Sequence, residues 1–198
     1  MIYIFGVLCY FIGSIPFSYL IPKWMGKIDI RLHGSGNTGT TNVIRTLGMK
    51  VGVIAFIGDF LKGITPSLLG LIWFGEIGGV IGGGLSVIGH CHPVWLKFKG
   101  GKGVATSAGI LLVLYPDIFV ILLISQFIII GLTKYMSLAS ILSAVMLPIY
   151  AILFSKSTTM TVFAFLLGAF VIYRHRTNLK RLLNGTESKL SIKKKTTN

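Results

Sequence analysis

Residues 2–21 read Ile2-Tyr3-Ile4-Phe5-Gly6-Val7-Leu8-Cys9-Tyr10-Phe11-Ile12-Gly13-Ser14-Ile15-Pro16-Phe17-Ser18-Tyr19-Leu20-Ile21, with no formal charge anywhere in the run. An apolar run of about 18 residues or more is long enough to cross a bilayer as a helix. No Lys or Arg precedes it and no small-residue cleavage site follows before Lys23, so it does not read as a signal peptide. Six further apolar blocks follow, at 51–74, 77–88, 104–114, 118–133, 137–154 and 158–173. The third and fourth of the seven blocks are short. Apolar residues make up 53% of the chain and charged residues 12%, about half the charged share of a soluble domain. Lipid admits only helices and closed barrels. Continuous apolar runs favour helices over the alternating pattern of a barrel. The expectation is an all-α integral membrane protein, a bundle of seven spanning helices.

Basic residues set the orientation. In a seven-span arrangement 17 of the 19 Lys and Arg fall on one side, in segments 23–50, 97–102, 134 and 174–195. Lys156 lies on the other side and Lys62 within a span. The positive-inside rule then gives an outside N-terminus and a cytoplasmic C-terminus. The net charge of +14 fits contact with anionic lipid; no motif supports nucleic-acid binding. Residues 1–183 read as one transmembrane domain and 184–198 as a basic cytoplasmic tail expected to be disordered. Cys9 and Cys91 give no disulfide framework.

Three polar clusters fall on the cytoplasmic side. The first is Gly34-Ser35-Gly36-Asn37-Thr38-Gly39-Thr40-Thr41-Asn42-Val43-Ile44-Arg45. Its second half reads as a short amphipathic helix ending at Gly48, with Thr38, Asn42 and Arg45 on one face and Val43 and Leu47 on another. A glycine-rich turn feeding a helix N-terminus offers amides and a positive dipole end to an anion. The second cluster runs from His90-Cys91-His92-Pro93 to Gly100-Gly101-Lys102-Gly103-Val104-Ala105-Thr106. It has the physics of a phosphate loop, but the lysine sits before Gly103 and the ATP-binding pattern is absent. His90 and His92, at i and i+2 without a neighbouring acid, read as structural rather than metal ligands. The third cluster is Tyr173-Arg174-His175-Arg176-Thr177-Asn178. His175 and Asn178 share a face on a continuing helix; the arginines read as a snorkelling collar at the membrane surface. Asp59 and Lys62, at i and i+3 within a span, read as a pair that ties helices together. No His is followed five residues later by Asp, and there is no G-x-S-x-G.

These motifs, with Gly13-Ser14-Ile15-Pro16-Phe17, Asp59-Phe60-Leu61-Lys62-Gly63 and Ser137-Leu138-Ala139-Ser140, resemble in order the bacterial acyl-phosphate-dependent glycerol-3-phosphate acyltransferases, the PlsY family. The resemblance runs from the first span to the last. It implies seven spans and an active site facing the cytoplasm of a bacterial inner membrane. It implies acyl transfer from an acyl phosphate to the 1-hydroxyl of sn-glycerol 3-phosphate, giving lysophosphatidic acid and inorganic phosphate. No covalent enzyme intermediate, cofactor or metal is expected. The partners it implies are the two substrates, membrane lipid and a functional link to the peripheral enzyme that makes acyl phosphate. Carried onto this chain, the resemblance makes Lys102, His175 and Asn178 catalytic. It makes Ser35, Gly36, Asn37, Thr38, Asn42, Arg45, Gly100, Gly101, Gly103 and Ser140 substrate-binding. Ser35 and Arg45 are expected to hold glycerol 3-phosphate, and Lys102 with its glycine loop the acyl-phosphate head. The proton acceptor stays open between His175 and a substrate phosphate. A phosphate-ester transporter is the competing class, but internal repeats and midplane sites are not evident.

The orientation is testable by labelling. A cysteine substituted for Lys193 should escape a membrane-impermeant thiol reagent in intact cells and react once the cells are opened. Reaction in intact cells would overturn the orientation.

Overall fold

The computed structural model describes residues 1–190, and their regular structure is helical throughout, with no strand. Helix α1 (Ile2–Ser14) and α2 (Phe17–Gly26) form one broken span interrupted at Ile15-Pro16. A short amphipathic α3 (Thr40–Leu47) follows, then the long α4 (Met49–Cys91). After a loop come α5 (Val104–Leu114), α6 (Pro116–Thr133), α7 (Met136–Leu153), α8 (Thr158–Arg174) and α9 (Arg176–Leu183). Four helical stretches are long and apolar enough to cross a membrane, or five if the bent pair α8–α9 counts as one.

One of those stretches is two arms. Helix α4 reverses at Gly75, whose φ of 66° and ψ of −157° lie outside helical geometry. Glycine occupies this left-handed turn without a Cβ penalty. The arms, 49–74 and 76–91, then lie antiparallel, with Gly70 against Gly78 at the turn. Farther on, Ser86 Oγ donates to the Lys62 carbonyl at 2.5 Å, and His90 reaches Asp59. Such close approach is how helices associate in lipid, where small residues replace the hydrophobic drive available in water. The reversal separates the expected second and third apolar blocks. Helix α5 has only 11 residues and rises about 16 Å, short of the roughly 30 Å hydrocarbon layer.

Two buried ions join these elements. Lys62 Nζ lies 2.8 Å from Asp59 Oδ1, with both side chains under 3% exposed. Lys62 also donates to the Ile15 carbonyl at 2.6 Å, at the break where Pro16 cannot continue the helix. Ser18 Oγ donates to Asp59 Oδ2, and Thr106 Oγ1 donates to the Asp59 carbonyl at 2.9 Å. The pair thus connects α2, both arms of α4 and α5, in line with the tie read from the sequence.

The apolar core is built by α5 to α8. Ile110, Leu114, Ile118, Leu122, Leu147, Ala151, Phe163 and Leu167 pack together. Tyr115 OH closes one end of it on the Met160 carbonyl at 2.6 Å. At that end Lys156 pairs with Asp117 at 2.8 Å. Ile4, Leu8, Ile72, Phe127, Leu132 and Leu166 remain exposed on the lateral surface, the side a bilayer would cover.

Removing one partner of a buried ion pair costs about 3–5 kcal/mol, because the other charge is left uncompensated. Lys62→Met and Asp59→Asn should each lower the unfolding temperature of the detergent-solubilised protein markedly. The double variant should lose less than the sum of the two losses. Strict additivity in thermal unfolding would show that the pair is not coupled.

Candidate active site

The three polar clusters meet at the end of the bundle opposite Tyr115. They enclose a cavity of about 150 Å³. Ser35, Asn37, Asn42 and Arg45 line it from the first cluster, and Lys102 and Gly103 from the second. His175 and Asn178 line it from the third, and Ser140 from α7. Thr40, Ser137, Arg181 and Glu187 complete its polar wall, with Asp59 and His90 at its floor.

Asn42 builds the first loop rather than leaving its amide free. Its Oδ1 accepts from the Ser35 N–H at 2.9 Å, and its Nδ2 donates to the carbonyls of His33 and Asn37 at 3.0 Å. Helix α3 then turns Val43 into a small core with Ile30 and Ala55, as its amphipathic spacing requires. Thr40 and Arg45 point the other way. Thr40 Oγ1 and Arg45 Nε are buried at the cavity without a partner among the described residues. Arg45 donates one terminal N–H to the Ser188 carbonyl at 2.7 Å. Burial pushes its guanidinium pKa down from the ordinary value. Gly36 and Thr38 lie behind the wall; Gly36 N–H closes a turn on the His33 carbonyl at 3.0 Å.

The glycine loop is shaped from behind by Arg174. Its guanidinium donates to the carbonyls of Gly101 at 2.7 Å and Gly100 at 3.3 Å. The Gly100 N–H is bound by the Cys91 carbonyl at 3.1 Å. Gly100 and Gly101, expected as direct ligands, are therefore absent from the cavity wall, and Arg174 is a clamp rather than part of a collar. Arg176 does lie outward, over the Tyr173 ring. Gly103, at φ 87°, turns the chain into α5 and leaves Lys102 in the cavity. Lys102 Nζ donates to Asn178 Oδ1. Burial pushes the Lys102 pKa down to about 8, with Arg181 adding to the effect, so the ammonium remains mostly protonated at neutral pH.

The helix does not continue through the third cluster. It bends by 60° between α8 and α9, and His175 sits at the bend. Its Nδ1 lies 2.8 Å from the Val171 carbonyl. That contact places the proton on Nδ1 and leaves Nε2 as an acceptor. Burial pushes the His175 pKa down to about 4, so the ring is neutral at pH 7. Asn178, one turn on, still faces the same cavity and is 5% exposed.

Glu187 was not foreseen as part of the site. It lies in the 184–190 part of the expected tail, which packs against the bundle; 191–198 lies outside the described residues. Its Oε1 accepts from Ser137 Oγ and Asn178 Nδ2, each at 2.7 Å, and its Oε2 from Arg181 Nε at 2.7 Å. Burial alone would push the carboxyl pKa up, but those hydrogen bonds outweigh it and hold the group below its usual range. A lone acid in a strongly basic segment was the only sequence signal for it.

A second, mostly apolar groove of about 270 Å³ adjoins the polar cavity. Val53, Leu111, Phe119, Leu122, Phe127, Ile130, Leu147 and Leu167 line it. Thr40, Phe56, Val104, Gln126, Met136 and Ser140 line both spaces. The site can therefore hold an amphiphile with an anionic head and a hydrocarbon tail.

The family model described as glycerol-3-phosphate acyltransferase matches residues 3–185. A glycerol-3-phosphate acyltransferase of Syntrophomonas wolfei is 48% identical over 187 residues, covering 94% of this chain and 96% of its own. One of Bacillus subtilis is 45% identical over 184 residues, covering 93% and 95%. The crystal structure of PlsY (YgiH), an integral membrane glycerol 3-phosphate acyltransferase, in its glycerol 3-phosphate form superposes with a TM-score of 0.91 at 38% identity, covering 96% of each chain. Its lysophosphatidic acid form gives 0.89 at 37% identity, covering 96% of each. With the match spanning nearly its whole length, this integral membrane chain belongs to the glycerol-3-phosphate acyltransferase family and is an acyltransferase.

Proposed function

We propose that the chain transfers a fatty acyl group from an acyl phosphate to the 1-hydroxyl of sn-glycerol 3-phosphate, without a covalent enzyme intermediate. The observation that carries this is the cation-rich cavity joined side by side to an apolar groove. A fatty acyl phosphate divides across such a junction, with phosphate among the cations and chain in the groove. The forms in which the related PlsY was crystallised, with glycerol 3-phosphate and with lysophosphatidic acid, support the acceptor and the product. Counting each arm of α4 and the short α5 as a crossing, the bundle passes the bacterial inner membrane seven times, with the N-terminus outside and the site facing the cytoplasm. A peripheral enzyme supplies the acyl phosphate.

Arg45, with Ser35 and Asn37 beside it, holds the phosphate of the acceptor. A guanidinium presents a planar fork that fits phosphate oxygens bidentately. Lys102 holds the phosphate of the donor and stabilises its charge as it leaves. Asn178 fixes the ammonium through its Oδ1, and Ser140 lies beside them on the wall. Gly36, Thr38, Asn42, Gly100 and Gly101 shape the two loops. The acceptor hydroxyl oxygen bonds to the acyl carbonyl carbon, the hydroxyl proton leaves, and the carbonyl becomes an oxyanion. When the oxyanion collapses, the bond to the bridging phosphate oxygen breaks and inorganic phosphate departs. Burial and the neighbouring cations hold the His175 ring neutral, with Nδ1 committed to the Val171 carbonyl. Its Nε2 accepts the hydroxyl's hydrogen bond and orients it, and the proton passes to that ring or to a substrate phosphate. Holding two reactants in this geometry removes much of the entropic barrier to their meeting.

Purified protein given palmitoyl phosphate and glycerol 3-phosphate should release phosphate and form lysophosphatidic acid. Lys102→Ala should cut turnover by more than about tenfold, since charged hydrogen bonds are worth about 1.5–3 kcal/mol and 1.4 kcal/mol is a factor of ten. The wild-type kcat/KM, which reports free-enzyme ionisations, should fall above about pH 8 as Lys102 loses its proton. Lys102→Arg should remove that alkaline limb; a profile unchanged by the substitution would take the role from Lys102.

The two sides of the site should separate kinetically. Arg45→Lys should raise KM for glycerol 3-phosphate by about tenfold or more and leave KM for acyl phosphate near wild type. His175→Ala should lower kcat instead. An Arg45→Lys enzyme impaired only toward acyl phosphate would exchange the two phosphate assignments.

A further inference from the structure

We propose that Gln126 donates the hydrogen bond that stabilises the acyl carbonyl oxygen during transfer. Gln126 is a half-buried amide within the apolar helix α6, a segment where a polar side chain without a partner is unfavourable. Only its oxygen is satisfied: Ser143 Oγ, from α7, donates to Oε1 at 3.0 Å. No described residue accepts from its Nε2. With Ser143 on Oε1, the amide presents its Nε2 away from α7.

The position of that free donor matters. Gln126 is on the wall shared by the polar cavity and the apolar groove. Of the other hydrogen-bonding side chains on that seam, Ser140 donates to the Met136 carbonyl at 2.9 Å. Thr40 has a single hydroxyl on α3. Gln126 is the one side chain there with an N–H pair to offer. This inference rests on the acyl-transfer reading. If the donor's phosphate lies in the cavity and its chain in the groove, the carbonyl joining them must cross the seam. Its oxygen then meets Nε2–H. As the hydroxyl adds to the carbonyl carbon, the C=O π electrons move onto that oxygen. A donor already aimed at it needs no reorganisation, which is the condition under which such groups accelerate acyl transfer most.

Gln126→Met keeps the length of the side chain, removes the donor and suits a membrane helix. The expected result is a kcat lowered about 10²-fold, the usual effect of losing one such donor, with KM for glycerol 3-phosphate and thermal unfolding unchanged. A structural role would not move a second readout. An unreactive acyl phosphonate, which keeps the carbonyl, should inhibit the wild type more strongly than an alkyl phosphate of equal length, which lacks it. That preference should vanish in Gln126→Met and weaken in Ser143→Ala. A Gln126→Met enzyme with wild-type kcat, or one that loses kcat while keeping the carbonyl preference, overturns the proposal. If the wild type forms no lysophosphatidic acid, the acyl-transfer reading fails and this inference with it; if the wild type forms it, these variants judge the inference alone.

Discussion

The buried contact between Asp59 and Lys62 is the constraint on which the rest of the molecule depends. Two charges in the interior of a membrane bundle are expensive, and each is held by several partners. Their neighbours come from four segments. The Ile15 carbonyl at the broken first span, Ser18 after it, Ser86 on the second arm of α4 and Thr106 on α5 all bind the pair or its backbone. His90 Nδ1 also lies 3.5 Å from Asp59. The same His90 packs against Gly100 and Gly101. The position of the glycine loop, and so of Lys102, is therefore referenced to the ion pair. The cost of burying the charges is offset by the register they impose on helices that otherwise meet only through small residues.

Above that floor the site is electrostatically incomplete by design. Arg45, Lys102 and Arg181 converge on a cavity where, among the described residues, Glu187 is the only carboxylate on the wall apart from the Lys62-paired Asp59. Glu187 spends itself on Arg181, Ser137 and Asn178. Among the described residues, Arg45 and Lys102 form no ion pair. Partial burial strengthens their pull on an anion, since water no longer screens it as well. It also depresses their pKa values, which lowers the margin by which Lys102 keeps its charge. His175 has the opposite assignment. A neutral ring beside cations can accept a hydrogen bond without adding to the repulsion.

Much of this was legible in the chain. The apolar runs gave the helical membrane bundle, because in lipid every backbone group must be satisfied within its own segment. The spacing of Val43, Leu47 and Arg45 gave α3 and its two faces. The close set of glycines, hydroxyls and cations gave the composition of the site. Contacts between distant segments were not legible. Asp59 and His90 are brought together only by the reversal at Gly75, and Glu187 reaches the site only because α9 bends away from α8. Arg174 looked like one more basic residue at a helix end until its guanidinium was seen to hold the Gly100 and Gly101 carbonyls. Asn42 lines the cavity and also braces the glycine-rich turn before it, a second task for the same amide that the sequence does not reveal.

The apolar groove has a consequence for what the site can discriminate. Its wall includes Leu123 and Phe127, which are 41% and 68% exposed on the lateral surface of the bundle. The groove therefore borders the space that lipid fills. Moving a hydrocarbon chain from lipid into such a groove gains little, because lipid tails are as apolar as the leucines that replace them. On the acyl-transfer reading, affinity for the donor then comes from its head: the phosphate at Lys102 and the carbonyl at the seam. Each added methylene contributes far less than the roughly 0.8 kcal/mol it would contribute on leaving water. On that reading, selection among chain lengths would be weak in the binding step, and the chain would act chiefly to bring the head to the right depth in the membrane. That depth is where the polar cavity opens, so the bilayer itself performs part of the positioning that a soluble enzyme must build from protein.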